Sequence, residues 1–96
     1  MDVLIHMTCR DSARLAAPLG RALTSRGAEW VCFLTNDAVF AADDADFMAA
    51  IDGAKRAVVC EHSWDIHMPG RDSPFERGSQ TINSGLMADA ARVVSL

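Results

Sequence analysis

The chain has 96 residues and a formal net charge of −4 at pH 7; half of its residues are hydrophobic and 23% are charged. These values predict one globular domain over residues 1–96, and they argue against a disordered chain and against a nucleic-acid partner, which favours a basic surface. The sequence opens without a signal-peptide pattern and lacks the run of about 20 apolar residues that spans a membrane, so we expect a cytoplasmic protein with no membrane partner. Three widely spaced cysteines do not suggest a disulfide framework, so free thiols are expected.

The first half of the chain predicts two strands, each followed by a helix. An apolar run over residues 2–7 predicts the first strand, and apolar residues at helical spacing predict a helix between Ser12 and Gly27. Residues 29–34 are rich in aromatic and aliphatic side chains, which favours a second strand. A short helix over residues 45–51 is then predicted, because acidic residues that suit a helix N-terminus stand just before it.

The second half predicts a third strand that ends on Cys60 and then a long irregular segment. Residues 61–78 contain prolines and glycines without a periodic pattern, which is typical of a functional loop, and one short helix is expected to begin at Ser73. A final helix from Ser84 to Ala91 and a last strand over residues 92–96 complete the chain. This alternation predicts an α/β three-layer sandwich with a mostly parallel sheet of four to five strands.

Cys60 stands where a short apolar strand changes abruptly to polar sequence. The loops beyond the carboxyl ends of parallel strands are where ligands and reactive groups gather, so Cys60 is a candidate nucleophile. The alternative interpretation is that Cys60 is the last small hydrophobic residue of a core strand, because free cysteines are often buried. Cys9 also follows a predicted strand, and we expect it at the same edge of the sheet.

Four segments of the chain resemble the DsrE-like family of small α/β proteins. They are the first helix Ser12–Gly27 with its ending ALTSRGAEW, the strand and turn Val31–Val39 (VCFLTNDAV), the strand end Val58-Val59-Cys60, and the carboxyl-terminal Gly78–Leu96 (GSQTINSGLMADAARVVSL). Together these segments span most of the chain. The resemblance implies a single domain with a DsrE-like fold, and the match at Cys60 is its most informative part.

By this resemblance, Cys60 would carry sulfane sulfur as a persulfide and pass it to a partner thiol, as a sulfur carrier or sulfurtransferase without a cofactor. The partners would be sulfur donor and acceptor proteins, and the chain would form a homo-oligomer, a trimer or a hexamer. Cys9 is a candidate accessory thiol. Positive neighbours shift a thiol toward thiolate, so His62 and Arg77 are candidates for tuning Cys60.

Two other functions remain open from the residues alone. The first is a zinc or copper site with no recognised spacing, formed by Cys60, His62 and His67 with Cys9 or His6. The second is a non-catalytic oligomeric interaction protein or small-ligand-binding protein. In that protein the side chains that would dock on a neighbouring subunit are Trp64, Ile66 and Met68. Dispersed glycines without a dinucleotide or P-loop fingerprint argue against nucleotide binding.

Overall fold

A five-stranded parallel sheet forms the middle of the molecule in the computed structural model, which describes residues 1–96. The strand order is β4-β3-β2-β1-β5, and every neighbouring pair is parallel. The strands are β1 (Val3–Met7), β2 (Trp30–Leu34), β3 (Arg56–Cys60), β4 (Glu76–Gly78) and β5 (Arg92–Ser95). The prediction of an α/β fold with a mostly parallel sheet is confirmed.

Helices cover both faces of the sheet, but unequally. The α-helices are α1 (Ala13–Ser25), α2 (Ala45–Ala50), α3 (Glu61–His67) and α4 (Gln80–Asp89), and the 3-10 helices are Arg10–Ser12, Asn36–Asp43 and Ile51–Gly53. The larger core cluster joins α1, α2, α3 and the segment Asn36–Asp43 to one face of the sheet, whereas α4 alone packs on the other. The molecule is therefore a three-layer sandwich. No helix combines the length and the apolar character needed to cross a bilayer.

The central strand β2 shows why this sequence forms a sheet that is covered on both sides. All five of its residues are buried. Cys32 belongs to the larger cluster and Phe33 to the smaller one, since successive side chains of a strand point to opposite faces. A continuous hydrophobic run is typical of a parallel strand with helices on both faces.

The prediction of an irregular loop over residues 61–78 is wrong, and so is the helix predicted at Ser73. The chain enters α3 directly after Cys60, and β4 adds an edge strand beside β3. The cause is tertiary packing, because Trp64 and Phe75 from this segment are buried in the larger core cluster with their rings edge to face. The proposed docking residues Trp64 and Met68 are likewise core residues, and only Ile66 of the three is exposed.

The last helix begins earlier than predicted, at Gln80 instead of Ser84. The helix is capped by Ser79, whose hydroxyl oxygen accepts a hydrogen bond of 3.3 Å from the backbone N–H of Ile82. Because Gly78 lies opposite Cys60 in the sheet, this early start places the first turn of α4 beside the end of β3. Two polar side chains of α4, Gln80 and Asn83, thereby reach the carboxyl edge of the sheet.

Candidate thiol site at Cys60

Cys60 is the last residue of β3 and lies between the ends of β2 and β4. Its side chain belongs to the smaller core cluster under α4, together with Phe33 and Leu86, and only 6% of the residue is exposed. It also immediately precedes α3, so the first turn of that helix lies next to the thiol. The thiol thus occupies the sheet edge where the sequence predicted it, with one narrow side open to solvent.

The hydroxyl groups of Ser63 and Thr35 lie beside Cys60 and close to each other. The Ser63 hydroxyl oxygen accepts a 2.9 Å hydrogen bond from the backbone N–H of Asn36, and it lies 3.3 Å from the Thr35 hydroxyl. Asn36 has a positive φ of 54°, a left-handed conformation that asparagine tolerates better than most residues. Because this N–H occupies an acceptor position on Ser63, the hydroxyl hydrogen of Ser63 is free to point toward a neighbouring acceptor such as a thiolate.

The polar groups around Cys60 favour the thiolate. Burial raises the pKa of the Cys60 thiol, but hydrogen-bonding groups of Ser63, Gln80 and Thr35 lower it, and the net result is a pKa below the usual value. Ser63 contributes through both its hydroxyl and its backbone N–H. A thiol with a lowered pKa has a larger fraction of the nucleophilic thiolate at neutral pH.

A chain of side-chain amides extends from this site toward β1. The Gln80 Nε2 donates to the Thr35 hydroxyl oxygen at 3.4 Å, and the Gln80 Oε1 accepts from the Asn83 Nδ2 at 3.3 Å. The same Asn83 Nδ2 lies 3.5 Å from the Nε2 of His6, which is half-buried and stacked on Phe33. The Asn83 Oδ1 is buried and has no hydrogen-bond partner. Thr35, Gln80, Asn83 and His6, from three parts of the chain, thus form a polar chain that begins beside the thiol.

Comparison of the sequence with models of known protein families and with curated proteins found no match. The function must therefore be inferred from the residues and the geometry of the site.

His62 and Arg77, predicted to tune Cys60, lie elsewhere. Arg77 is opposite Val59 in the sheet, so it points to the other face from Cys60, and its guanidinium binds both carboxylate oxygens of Asp65 at 3.0 and 2.9 Å. His62 is exposed. Neither side chain is among the groups that shift the pKa of Cys60, and hydrogen-bonding groups supply that shift instead.

The other two cysteines differ sharply from Cys60. Cys9 is exposed, and its Sγ lies 3.3 Å from the Ser12 hydroxyl oxygen. Cys9 follows β1, whereas Cys60 ends β3. Because β2 lies between β1 and β3, these two strands are roughly 10 Å apart. Cys32 is completely buried in β2, and this burial raises the pKa of its thiol to about 12. Burial thus raises the pKa of Cys32, whereas the polar groups around Cys60 lower the pKa of its thiol.

The residues of the alternative metal site are not brought together. No group of three or more His, Cys, Asp or Glu side chains is arranged to hold a metal ion. His67 packs edge to face on Phe40, with 5.4 Å between the ring centroids. His6 lies on the α4 side of the sheet, beside Asn83.

A separate cavity of about 350 Å³ lies between the segments that follow β1 and β2. Its lining residues are Arg10, Ala13, Phe40, Ala41, Asp43 and Asp44. The Arg10 guanidinium carbon lies 4.2 Å from the centre of the Phe40 ring. Asp43 pairs with Arg71 at 2.9 Å, and Asp44 accepts a hydrogen bond from the N–H of Phe47, whereas Arg10 makes no ion pair. The cavity therefore contains one unpaired positive charge above an aromatic surface.

Sequence reasoning did not identify Ser63, Gln80 or Asn83 as part of the site, and it named His6 only as a possible metal ligand. Thr35 could have been found from the sequence, because it directly follows the predicted second strand and the carboxyl ends of parallel strands meet at one edge of the sheet. Ser63 is three residues after Cys60, a spacing that matters only if a helix starts there. Gln80 and Asn83 share one helix face at a spacing of three residues, and this pattern becomes informative once Ser79 is taken as the cap.

Proposed function

We propose that this protein is a sulfur carrier that holds sulfane sulfur as a persulfide on Cys60. The observation that carries the proposal is the placement of Cys60 at the carboxyl end of β3, beside the Ser63 and Thr35 hydroxyls, which together with Gln80 lower its pKa. The resemblance of four segments to the DsrE-like family supports the same assignment. A thiolate at the edge of a parallel sheet is the group that such chemistry requires.

The reaction is an exchange between sulfur atoms without a net change in oxidation. The Cys60 thiolate attacks the outer sulfur of a donor persulfide, the donor S–S bond breaks, a new S–S bond forms on Cys60, and the donor leaves as a thiolate. An acceptor thiolate then attacks the outer sulfur of the Cys60 persulfide. The outer sulfur moves to the acceptor, and Cys60 leaves as a thiolate. The hydrogen-bonding groups near Cys60 stabilise its sulfur as a thiolate, both when Cys60 attacks the sulfur donor and when it leaves the acceptor.

The proposal includes partners that present thiols or persulfides, working in a reducing cytoplasm. It also includes assembly of several copies of this chain into a trimer or a hexamer. Met87 and Val93 support an interface, because they are 38% and 43% exposed on the side of the sheet that α4 alone covers. A native mass spectrum of the purified chain reports the number of copies directly.

Sulfur loading is tested by intact-mass spectrometry after incubation of the purified chain with polysulfide. We expect mass increases of one or more sulfur atoms that disappear after reduction, and we expect Cys60→Ser to lose them completely. The serine hydroxyl is close in size to the thiol, so the circular dichroism spectrum and the oligomeric state should remain those of the wild type. The chemical reason is that the Cys60 thiolate is stabilised by its neighbours and lies at the carboxyl edge of the sheet.

Cys9→Ser is the matched control, because it removes an exposed thiol whose neighbour is Ser12. This variant should load sulfur like the wild type. Loading that survives in Cys60→Ser and disappears in Cys9→Ser would overturn the assignment to Cys60. Unfolding of Cys60→Ser, with no loading of the folded wild type, would show that Cys60 is a structural core residue.

A second candidate function is binding of a small carboxylate in the cavity beside Phe40. The observation in its favour is the unpaired Arg10 guanidinium above the Phe40 ring, since guanidinium groups bind carboxylates through two parallel hydrogen bonds. The volume of about 350 Å³ lies within the range of small-molecule sites. The ligand would place its carboxylate on Arg10 and its apolar part against Phe40.

Benzoate, followed by nuclear magnetic resonance, is the probe for this second candidate. We expect saturable shifts of the amide signals of Ala13 and Ala41, and an affinity about tenfold weaker in Arg10→Met, because the charge-assisted hydrogen bonds are lost. Arg14→Met is the matched control, since Arg14 is exposed on α1 and does not line the cavity. Shifts that spread over the whole surface, or equal affinities in all three proteins, would contradict this function.

A further inference from the structure

The buried amide of Asn83 has an unusual arrangement of partners. Its Nδ2 faces two groups, the Nε2 of His6 at 3.5 Å and the Oε1 of Gln80 at 3.3 Å, while its Oδ1 has none. Buried polar atoms in folded proteins nearly always have a partner, so an unpartnered oxygen beside an ionisable ring requires an explanation. Asn83 is 7% exposed, which leaves little room for water to supply one.

The protonation state of His6 determines the orientation of the Asn83 amide. A neutral His6 whose Nε2 carries no hydrogen can accept one from the Asn83 Nδ2, which lies 3.5 Å away. A protonated His6 has a hydrogen on both ring nitrogens, so its Nε2 then meets the NH₂ group of Asn83 as donor against donor. Rotation of the amide by half a turn resolves the conflict, because it brings the unpartnered Oδ1 to the Nε2 of His6.

The rotation of Asn83 passes to its other neighbour, Gln80. With Oδ1 facing Gln80, the Oε1 of Gln80 would meet an acceptor, so Gln80 gains a hydrogen bond by rotating as well and donating through Nε2. After this rotation the Oε1 of Gln80 faces Thr35 and Cys60. It replaces the Nε2, which donates to Thr35 before the rotation. A carbonyl oxygen near a thiolate destabilises it, whereas an NH₂ group stabilises it.

We propose that His6 and Asn83 are positioning residues that set the orientation of the Gln80 amide, so that protonation of His6 reverses both amides and weakens the Cys60 thiolate. The inference rests on the proposed function only in taking Cys60 as the reactive thiol. The coupling has the opposite sign to a direct charge effect, because a positive His6 acting through space would stabilise the thiolate.

No charged side chain of α4, β2 or β5, the elements packed against His6, lies near its ring. The only charged side chain of α4 is Asp89, which lies at the far end of that helix and pairs with the N-terminal amine. Arg92 of β5 lies opposite Val3, at the other end of β1 from His6, and β2 contains no charged residue. Burial alone lowers the pKa of His6, which keeps the ring neutral at pH 7 and ready to act as the acceptor.

The test measures the rate of Cys60 alkylation by iodoacetamide, followed by peptide mass spectrometry, between about pH 5 and about pH 8. In the wild type, the logarithm of the rate should rise with a slope above one around the pH at which His6 ionises, since loss of the His6 proton there adds to the ionisation of Cys60. In His6→Gln, which keeps an acceptor but does not ionise, the slope should be one. The ratio of the wild-type alkylation rate to the His6→Gln rate should be about five- to tenfold lower at about pH 5 than at about pH 8.

Asn83→Leu gives a second test, because it removes the amide between His6 and Gln80 and keeps the size of the side chain. In this variant the logarithm of the Cys60 alkylation rate should also rise with pH with a slope of one. In the wild type the side-chain amide signals of Asn83 and Gln80 should titrate with the imidazole of His6, and in His6→Gln they should not.

A wild-type slope of one or less, or identical profiles in wild type and His6→Gln, would overturn the inference. Alkylation requires only a thiolate, so the expected slope without sulfur loading would refute the proposed function and leave the positioning role intact. Absence of alkylation at every pH would refute both.

Discussion

Replacement of Trp64 by alanine is expected to lower the free energy of unfolding by about 3–5 kcal/mol, as for large buried aromatic side chains in general. Trp64 has no exposed surface and contacts the Phe75 ring at a centroid distance of 6.2 Å. Its indole N–H also donates a 2.7 Å hydrogen bond to the backbone oxygen of Arg71. Urea unfolding followed by circular dichroism measures the loss.

Ile66→Ala is the matched control on the same helix, because Ile66 is 59% exposed and packs on little. Its unfolding free energy should stay within about 0.5 kcal/mol of the wild-type value. Equal effects of the two substitutions would mean that α3 is not packed on the core. The segment after Cys60 would then behave as the loop that its prolines and glycines suggested.

Removal of the Ser63 hydroxyl is expected to slow alkylation of Cys60 by about tenfold or more at about pH 6. Hydrogen bonds to charged groups contribute about 1.5–3 kcal/mol, and this one favours the thiolate. In Ser63→Ala the pKa of Cys60 should therefore rise, so less thiolate is present below that pKa. At a pH above the pKa of both proteins the rates should converge, and a full pH profile shows this.

Ser84→Ala is the control for this measurement, because Ser84 is exposed on α4 and makes no contact with the thiol. Its alkylation profile should match that of the wild type. The backbone N–H of Asn36 loses its acceptor in Ser63→Ala, so the stability of the variant must be measured in parallel. A folded Ser63→Ala protein with the wild-type profile would show that the hydroxyl does not stabilise the thiolate.

Burial determines which parts of the fold the sequence predicts. β2 is buried on both faces and β3 ends in buried aliphatic residues, so each appears in the sequence as an apolar run. α1 spans 13 residues and repeats its apolar side often enough for the helical period to be visible. These elements were predicted with boundaries within a few residues of the structure.

The elements that sequence reasoning missed are short, and contacts with distant residues hold them in place. β4 has three residues and α3 has seven, too few for either period to stand out. Pro69, Gly70 and Pro74 lie between them and made the whole segment resemble a loop. What orders the segment is the burial of Trp64 and Phe75 against the larger core, which no local pattern reveals.

The candidate site was predictable only at its centre. A cysteine at the end of an apolar strand identified Cys60, because the geometry of parallel sheets places strand ends at one edge. Its polar neighbours join residues separated by 28, 45 and 77 positions, in the pairs Thr35–Ser63, Thr35–Gln80 and His6–Asn83. Such pairs depend on strand order and on where α4 begins, and neither follows from composition or spacing.

The placement of the three thiols at different depths also makes the chain its own reporter of unfolding. Cys9 is exposed in the folded protein, Cys60 is 6% exposed beside the first turn of α4, and Cys32 has no exposed surface at the centre of the sheet. A labelling reagent reaches the first without any opening, the second through a narrow opening that widens when the end of α4 moves away, and the third only when the helical layers separate from the sheet. The labelling rates of three native side chains therefore rank the local, partial and global opening of one molecule, with no introduced probe.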